Sequence, residues 1–320
     1  MLLKRESNEN CSIANNGTDR KKLIMTRVKM SIHKITSEIF LEDDKHSEKL
    51  TNNSAITQFI FKCPSYMIKS KSKSKIKAIE YDEDDDLNID RDEESVLYIE
   101  HSVSTELQMV GLQVWRGALL LADYILSNPD LFKEKIIMEL GSGVGLTSII
   151  ASFLAKEIIC TDINLGEILK LVKRNFMRNI SYVKCKFHIE ELNFLNLKWS
   201  KSLEEKVNMT DIFIAADVIY DDVITNGFVT TLEKLLSKEV PKTAYIALEK
   251  RYVFTVANME TVAPMYEEFL RCIQRRNLNW NIEYVKIDFP RFFKYERVQH
   301  MILMKIENKI NIKDNLFHTH

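Results

Sequence analysis

The stretch IIMELGSGVGLTS, from Ile136 to Ser148, constrains this chain more than any other. Its β-branched start predicts a strand over Ile136 to Leu140. Three glycines and then a helix-forming run follow directly. A glycine-rich turn between strand and helix lets the backbone bend tightly and brings a ligand close to the helix N-terminus. About twenty residues on, a second apolar strand, Glu157 to Thr161, ends in Asp162, where such folds place a carboxylate on a ribose. Together these features predict a site for an adenosine-containing cofactor.

The loop also discriminates between cofactors. In the dinucleotide pattern G-x-G-x-x-G the glycines would fall at Gly141, Gly143 and position 146, but Leu146 holds the last place and a glycine comes one residue early, at Gly145. That favours S-adenosylmethionine over NAD. Charge agrees, because Glu139 ends the strand with a carboxylate toward the loop, which would repel a pyrophosphate and attract the ammonium and sulfonium of S-adenosylmethionine.

Composition excludes some alternatives. Lys and Arg number 45 against 46 Asp and Glu, so no net charge drives the chain toward nucleic acid or membrane. The five cysteines are scattered and show no C-x-x-C spacing, which predicts a reducing compartment and no metal site. No signal-like N-terminal run and no membrane-length apolar stretch is expected, so the nucleus or the cytosol is the predicted residence.

The chain changes character near residue 95. Before it lie KSKSKSKIK at Lys69 to Lys77 and the acidic block Asp82 to Asp86, a composition that suits a solvated, charged region over 1–94. The basic run has two readings, a linker or an import signal. Within this region ITQFIFKCP alternates like a strand near 56–63. From 95 to 308, strand and helix signals alternate as in an open α/β sheet, and 309–320 is left as a tail. Strands are expected at Val96 to Val103, Val183 to Ile189, Ile212 to Ala216, Tyr245 to Leu248, Ile282 to Ile287 and Val298 to Lys305, besides the two above. Glu139, Asp162 and Asp217 all fall at strand ends, where open sheets bind ligands.

Four segments in this order, GLQVWRGALLLADYIL, ELGSGVGL, AADVIYDD and LEKR, resemble the family 16 class I methyltransferases. The resemblance runs from Val96 to the last strand. It implies a Rossmann-like, seven-stranded, mostly parallel sheet with helices on both faces, and S-adenosylmethionine-dependent methylation of a lysine. The implied partner is a protein bearing the target lysine, of a nuclear, nucleic-acid-binding kind, with no direct nucleic-acid contact and a monomeric enzyme.

Carried over by motif, Glu139, Gly141 and Gly143 would cradle the methionine part of the cofactor. Asp162 would hold the ribose, and Trp115 would contact the cofactor; read locally, Trp115 is a core aromatic anchoring a helix. After the third strand, where the family has an aspartate and a tryptophan, this chain has Asn193 and Phe194, so the adenine would meet an amide and a ring. Ala216 would leave room for the adenosine. Asp217 and Tyr220 match the acidic-x-x-aromatic motif and are the expected catalytic pair, Asp217 holding the incoming amine and Tyr220 walling its channel. Asp217 read alone is a helix cap. Two other functions stay open: methylation of a different nucleophile, and a methyltransferase fold kept for binding only. An adenine amino group is disfavoured, because no Asn-Pro-Pro-Tyr type motif follows the fourth strand.

Overall fold

A computed structural model describes residues 34–40, 47–68, 94–238, 240–255 and 260–309. The Lys69 to Lys77 run, the acidic block and residues 310–320 lie outside them. In chain order the described elements begin with β1 (Ser47–Thr51), β2 (Ser54–Lys62), α1 (Ser65–Ile68), β3 (Glu94–Ser102), α2 (Arg116–Ser127) and α3 (Pro129–Phe132). The central alternation follows: β4 (Ile136–Leu140), α4 (Leu146–Ala151), β5 (Glu157–Asp162), α5 (Ile168–Arg178), β6 (Lys186–Glu191), α6 (Lys201–Met209), β7 (Ile212–Ala216), α7 (Asp222–Leu236) and β8 (Thr243–Glu249). A short hairpin, β9 (Val253–Thr255) and β10 (Glu260–Val262), precedes α8 (Pro264–Arg275), β11 (Trp280–Val285) and β12 (Met301–Asn308).

Seven strands form one sheet in the order β11-β12-β8-β7-β4-β5-β6. The pairs β4·β5, β5·β6, β4·β7 and β7·β8 are parallel; β12 pairs antiparallel with both β8 and β11. This is the expected doubly wound α/β architecture. The chain reverses direction at β4, which has β5 on one side and β7 on the other, so the crevice for a ligand opens at the carboxyl ends of β4, β5 and β7. The central strands have continuously buried faces, as in IIMEL and IFIAA, because helices cover both sides of a parallel sheet.

The region before residue 95 contributes more structure than its composition suggests. The expected strand is longer, Ser54–Lys62, and pairs along its whole length with β3, against β1 on its other edge near the turn. Phe61 is 1% exposed and packs on Phe293, Phe153 and Tyr182, so this sheet shares the core of the α/β unit. A boundary at residue 94 therefore cuts through a hydrogen-bonded sheet. Sequence alone could show alternation in β2 but not its partner, which comes after a long charged insert. Two residues on the outer edge of β3 are met by side chains of α5 and its C-cap. Asn175 accepts from Glu100 N and donates to Glu100 O, and Asn179 does the same for Tyr98, all at 2.8–2.9 Å.

One run, Leu107–Ser127, is long and apolar enough by composition to cross a membrane, contrary to the expectation that no such stretch exists. It is a 3-10 turn, Leu107–Leu112, then a bend and α2, whose Leu119, Leu120, Leu121 and Ile125 are packed in the core. The closing loop is fixed to α2 by the buried Asp123, which accepts from Phe292 N and Phe293 N and pairs with Arg297 at 2.7 Å.

Candidate active site

A pocket lies at the carboxyl ends of β4, β5 and β7. All nine expected site residues line it in a single cleft: Trp115, Glu139, Gly141, Gly143, Asp162, Phe194, Ala216, Asp217 and Tyr220 share its wall, and the Asp217 carboxylate also accepts two backbone bonds.

Glu139 is 1% exposed, and the hydroxyl of Ser148 on α4 donates to its carboxylate. Burial pushes its pKa up to about 8, against the opposing hydrogen bonds of Ser148 and Thr147. Asp162 accepts from Gly143 N at 2.8 Å and Ile163 N at 2.7 Å, and burial pushes it up to about 6. Each of its oxygens keeps a further lone pair, so the bracketed carboxylate can still accept from two hydroxyls. Gly143 has φ of 55°, and a Cβ there would stand 2.9 Å from the carbonyl oxygen of Gly111. Only glycine lets the loop approach the segment before α2 so closely.

Trp115 is half-buried. Its indole N–H donates to Val110 O at 2.9 Å, anchoring the entry to α2, while the ring lines the pocket under the Arg251 guanidinium, 4.8 Å away. Phe194 packs edge-on against Phe228 and faces Gly141. Asn193 lines the pocket with its carbonyl already accepting from Leu195 N, which leaves its amide hydrogens as the group to meet an adenine edge. Tyr220 is held protonated, its pKa pushed up to about 12 by burial and then by the charges of Asp162 and Asp221.

Asp217 occupies the left-handed region, φ 52°, which aspartate tolerates better than most residues. Its carboxylate accepts from Gly117 N at 2.6 Å and Glu249 N at 3.0 Å. It caps a helix, but α2 rather than the helix after its own strand; Asp221 caps α7 through Val223 N and Ile224 N. One side chain thus joins the ends of β7 and β8 to the start of α2. Burial raises its pKa, and the Arg251 charge and the two N–H bonds oppose that. Beside this bracket, Arg116 pairs with Glu249 at 3.4 Å and with Glu296 at 3.3 Å, and Arg251 lies 3.5 Å from Glu38. Lys250 stands over the Tyr266 ring.

Sequence reasoning missed Gly111, Gln113 and Gly117. A Cβ on Gly117 would be 2.6 Å from the Asp217 carboxylate, so this glycine lets the bracket form. The signal was present, since all three lie in the GLQVWRG segment around Trp115. Among the described residues no group of His, Cys, Asp and Glu could hold a metal ion.

The sequence model of a family described as lysine methyltransferase matches residues 91–275. The chain belongs to this lysine methyltransferase family. It is 35% identical over 232 residues to methyltransferase-like protein 22 of Homo sapiens, covering 66% of this chain and 57% of that protein. It is 34% identical over 233 residues to the same-named protein of Mus musculus, covering 66% and 59%. The chain therefore spans less than two thirds of the length of these relatives. Protein-lysine N-methyltransferase EEF2KMT of Mus musculus is 25% identical over 67% of this chain and 61% of its own length. In this lysine methyltransferase family member the cofactor is S-adenosylmethionine, and the buried Glu139, bracketed Asp162 and close-approach Gly143 fit it: acid for its cationic end, a carboxylate with spare lone pairs for its ribose, and open space beside the loop.

Proposed function

We propose that this chain is a protein-lysine N-methyltransferase whose substrate is a nuclear, nucleic-acid-associated protein, and that it works as a monomer in the nucleus, with the cytosol as a second location. The observation that carries the catalytic part is that Asp217 and Tyr220 flank the same pocket as Glu139 and Asp162, at the end of the strand next to the glycine loop. When bound, S-adenosylmethionine supplies an electrophilic methyl group. The chain supplies position: Glu139 and Gly141 hold the cationic end, Asp162 the ribose, and Phe194 and Asn193 the adenine, while Ala216 leaves room. A lysine amine entering past Trp115 and Tyr220 meets an aromatic wall, and the protonated Tyr220 hydroxyl donates rather than removes a proton. The amine loses its proton to water.

The carboxylate of Asp217 is assigned two linked tasks. It braces α2 and β8, and its negative charge faces the place where the amine arrives. Asp217→Asn, which keeps one acceptor oxygen, should lower methylation of a proteome by labelled cofactor at least tenfold, with cofactor affinity within about threefold. Asp217→Ala should also lower stability by about 2 to 4 kcal/mol, because two N–H groups lose their acceptor. Labelled bands, mapped to the modified residue, give the substrate and its lysine. Wild-type transfer by folded Asp217→Asn would sink the charged role, and labelling on nucleic acid instead of protein would sink the substrate class.

A further inference from the structure

The pocket wall from the last residues of the 3-10 turn to the start of α2, Gly111 to Trp115, is outside regular helix and strand from Gln113 to Trp115, so that part has no ladder of its own to fix it. It is held from behind by residues far upstream. Gln113 is 2% exposed; its carbonyl accepts from Ser37 N at 2.7 Å, and its amide donates to Ile35 O at 3.0 Å and Thr105 Oγ1 at 2.7 Å. Ser37 is wholly buried, and its hydroxyl donates to Val114 O at 2.6 Å. Ile35 and Thr105 exchange backbone bonds in both directions, at 2.7 and 2.9 Å. One residue beyond Ser37, Glu38 reaches Arg251, whose guanidinium covers Trp115.

These bonds tie Gln113 and Val114, which line the pocket, to residues 34–40, none of which lines it. Inside a low-dielectric region, such a network fixes position more strongly than surface hydrogen bonds do, and a broken member leaves a buried polar group unpaired. Residues 34–40 form only a bridge and a single 3-10 turn, and Ile39 packs against the main core.

We propose that residues 34–40 are a latch on the cofactor site, with Gln113 and Ser37 as positioning residues whose side chains set S-adenosylmethionine affinity by fixing the wall. The region upstream of the sheet thereby takes part in cofactor binding. The latch acts on the wall and not on charge, so S-adenosylmethionine and the uncharged-sulfur product S-adenosylhomocysteine should be affected alike.

The test is calorimetric titration of both ligands into the full chain carrying Gln113→Ala, Ser37→Ala or, as a control, Phe61→Ala. Gln113→Ala should weaken both ligands roughly tenfold, and Ser37→Ala, which removes one hydroxyl, roughly threefold. Phe61→Ala lies away from the wall; it should lower the melting temperature and leave both affinities unchanged. Lowered melting temperature with wild-type affinity in Gln113→Ala would reduce the segment to ordinary packing and overturn the latch. If that variant does not fold, Ser37→Ala decides alone, and wild-type affinity there overturns it equally. Failure of the wild-type chain to bind either ligand would count against the cofactor pocket itself rather than the latch.

Discussion

Glu139 and Asp162 are both carboxylates at adjacent strand ends, yet they meet the cofactor in different protonation states. With its pKa near 8, Glu139 is mostly protonated at pH 7 in the ligand-free protein, whereas Asp162, near 6, is mostly ionised. An ammonium arriving beside Glu139 favours its charged form, so binding should expel a proton. Calorimetry at pH 7 in phosphate and in Tris should give binding enthalpies that differ by the buffers' ionisation heats, corresponding to release of just under one proton; Glu139→Gln should abolish the difference. Buffer-independent heat in the wild type would place the cation elsewhere. Both folded pKa values lie above the ordinary ones, so the folded state binds more protons: ligand-free stability is unaffected by these groups below about pH 4 and falls as pH rises through 6 and then 8. The position of both residues was legible, because a strand ending in an acid beside glycines has few other uses. The protonation of Glu139 was not, since it depends on the Ser148 hydroxyl and on burial by α4. For Asp217 the sequence correctly suggested a cap but pointed to the wrong helix, because Gly117 and Glu249 reach it only through the tertiary fold.

Among the elements, β2 shows how far local pattern can mislead about belonging. Its alternation was readable, but the charged residues around it suggested an appendage, and the nine-residue pairing with β3 has no local signal. Truncating Phe61 to alanine removes a ring packed between Phe153, Tyr182 and Phe293 and should cost about 3 to 5 kcal/mol in urea unfolding. A loss below about 1 kcal/mol would mean that the sheet rides on the α/β unit without sharing its core. The same limit hid α6, a short helix capped by Ser200 that buries only Leu203 and Val207, and the β9–β10 hairpin of three-residue strands. α8 starts at Pro264, because proline suits a first helical turn.

At the scale of the whole molecule, the alternation of strands and helices was enough to give the parallel centre of the sheet, since right-handed crossovers leave few other arrangements. The antiparallel end, β11-β12-β8, was visible only as strands without an order. The N-terminal sheet has a different consequence. Lys62 and Glu94 face one another across β2 and β3, so the two ends of the intervening stretch are already held together by the fold. Covalent continuity between them is then redundant. A protease site introduced between residues 69 and 93 and cut after folding should leave two fragments that co-elute in native buffer, still bind S-adenosylmethionine, and part only in denaturant. Fragments that separate without denaturant would show that the backbone connection itself holds β2 in place. If they stay together, the gene can be divided at this point, and two separately made polypeptides should assemble into one working protein.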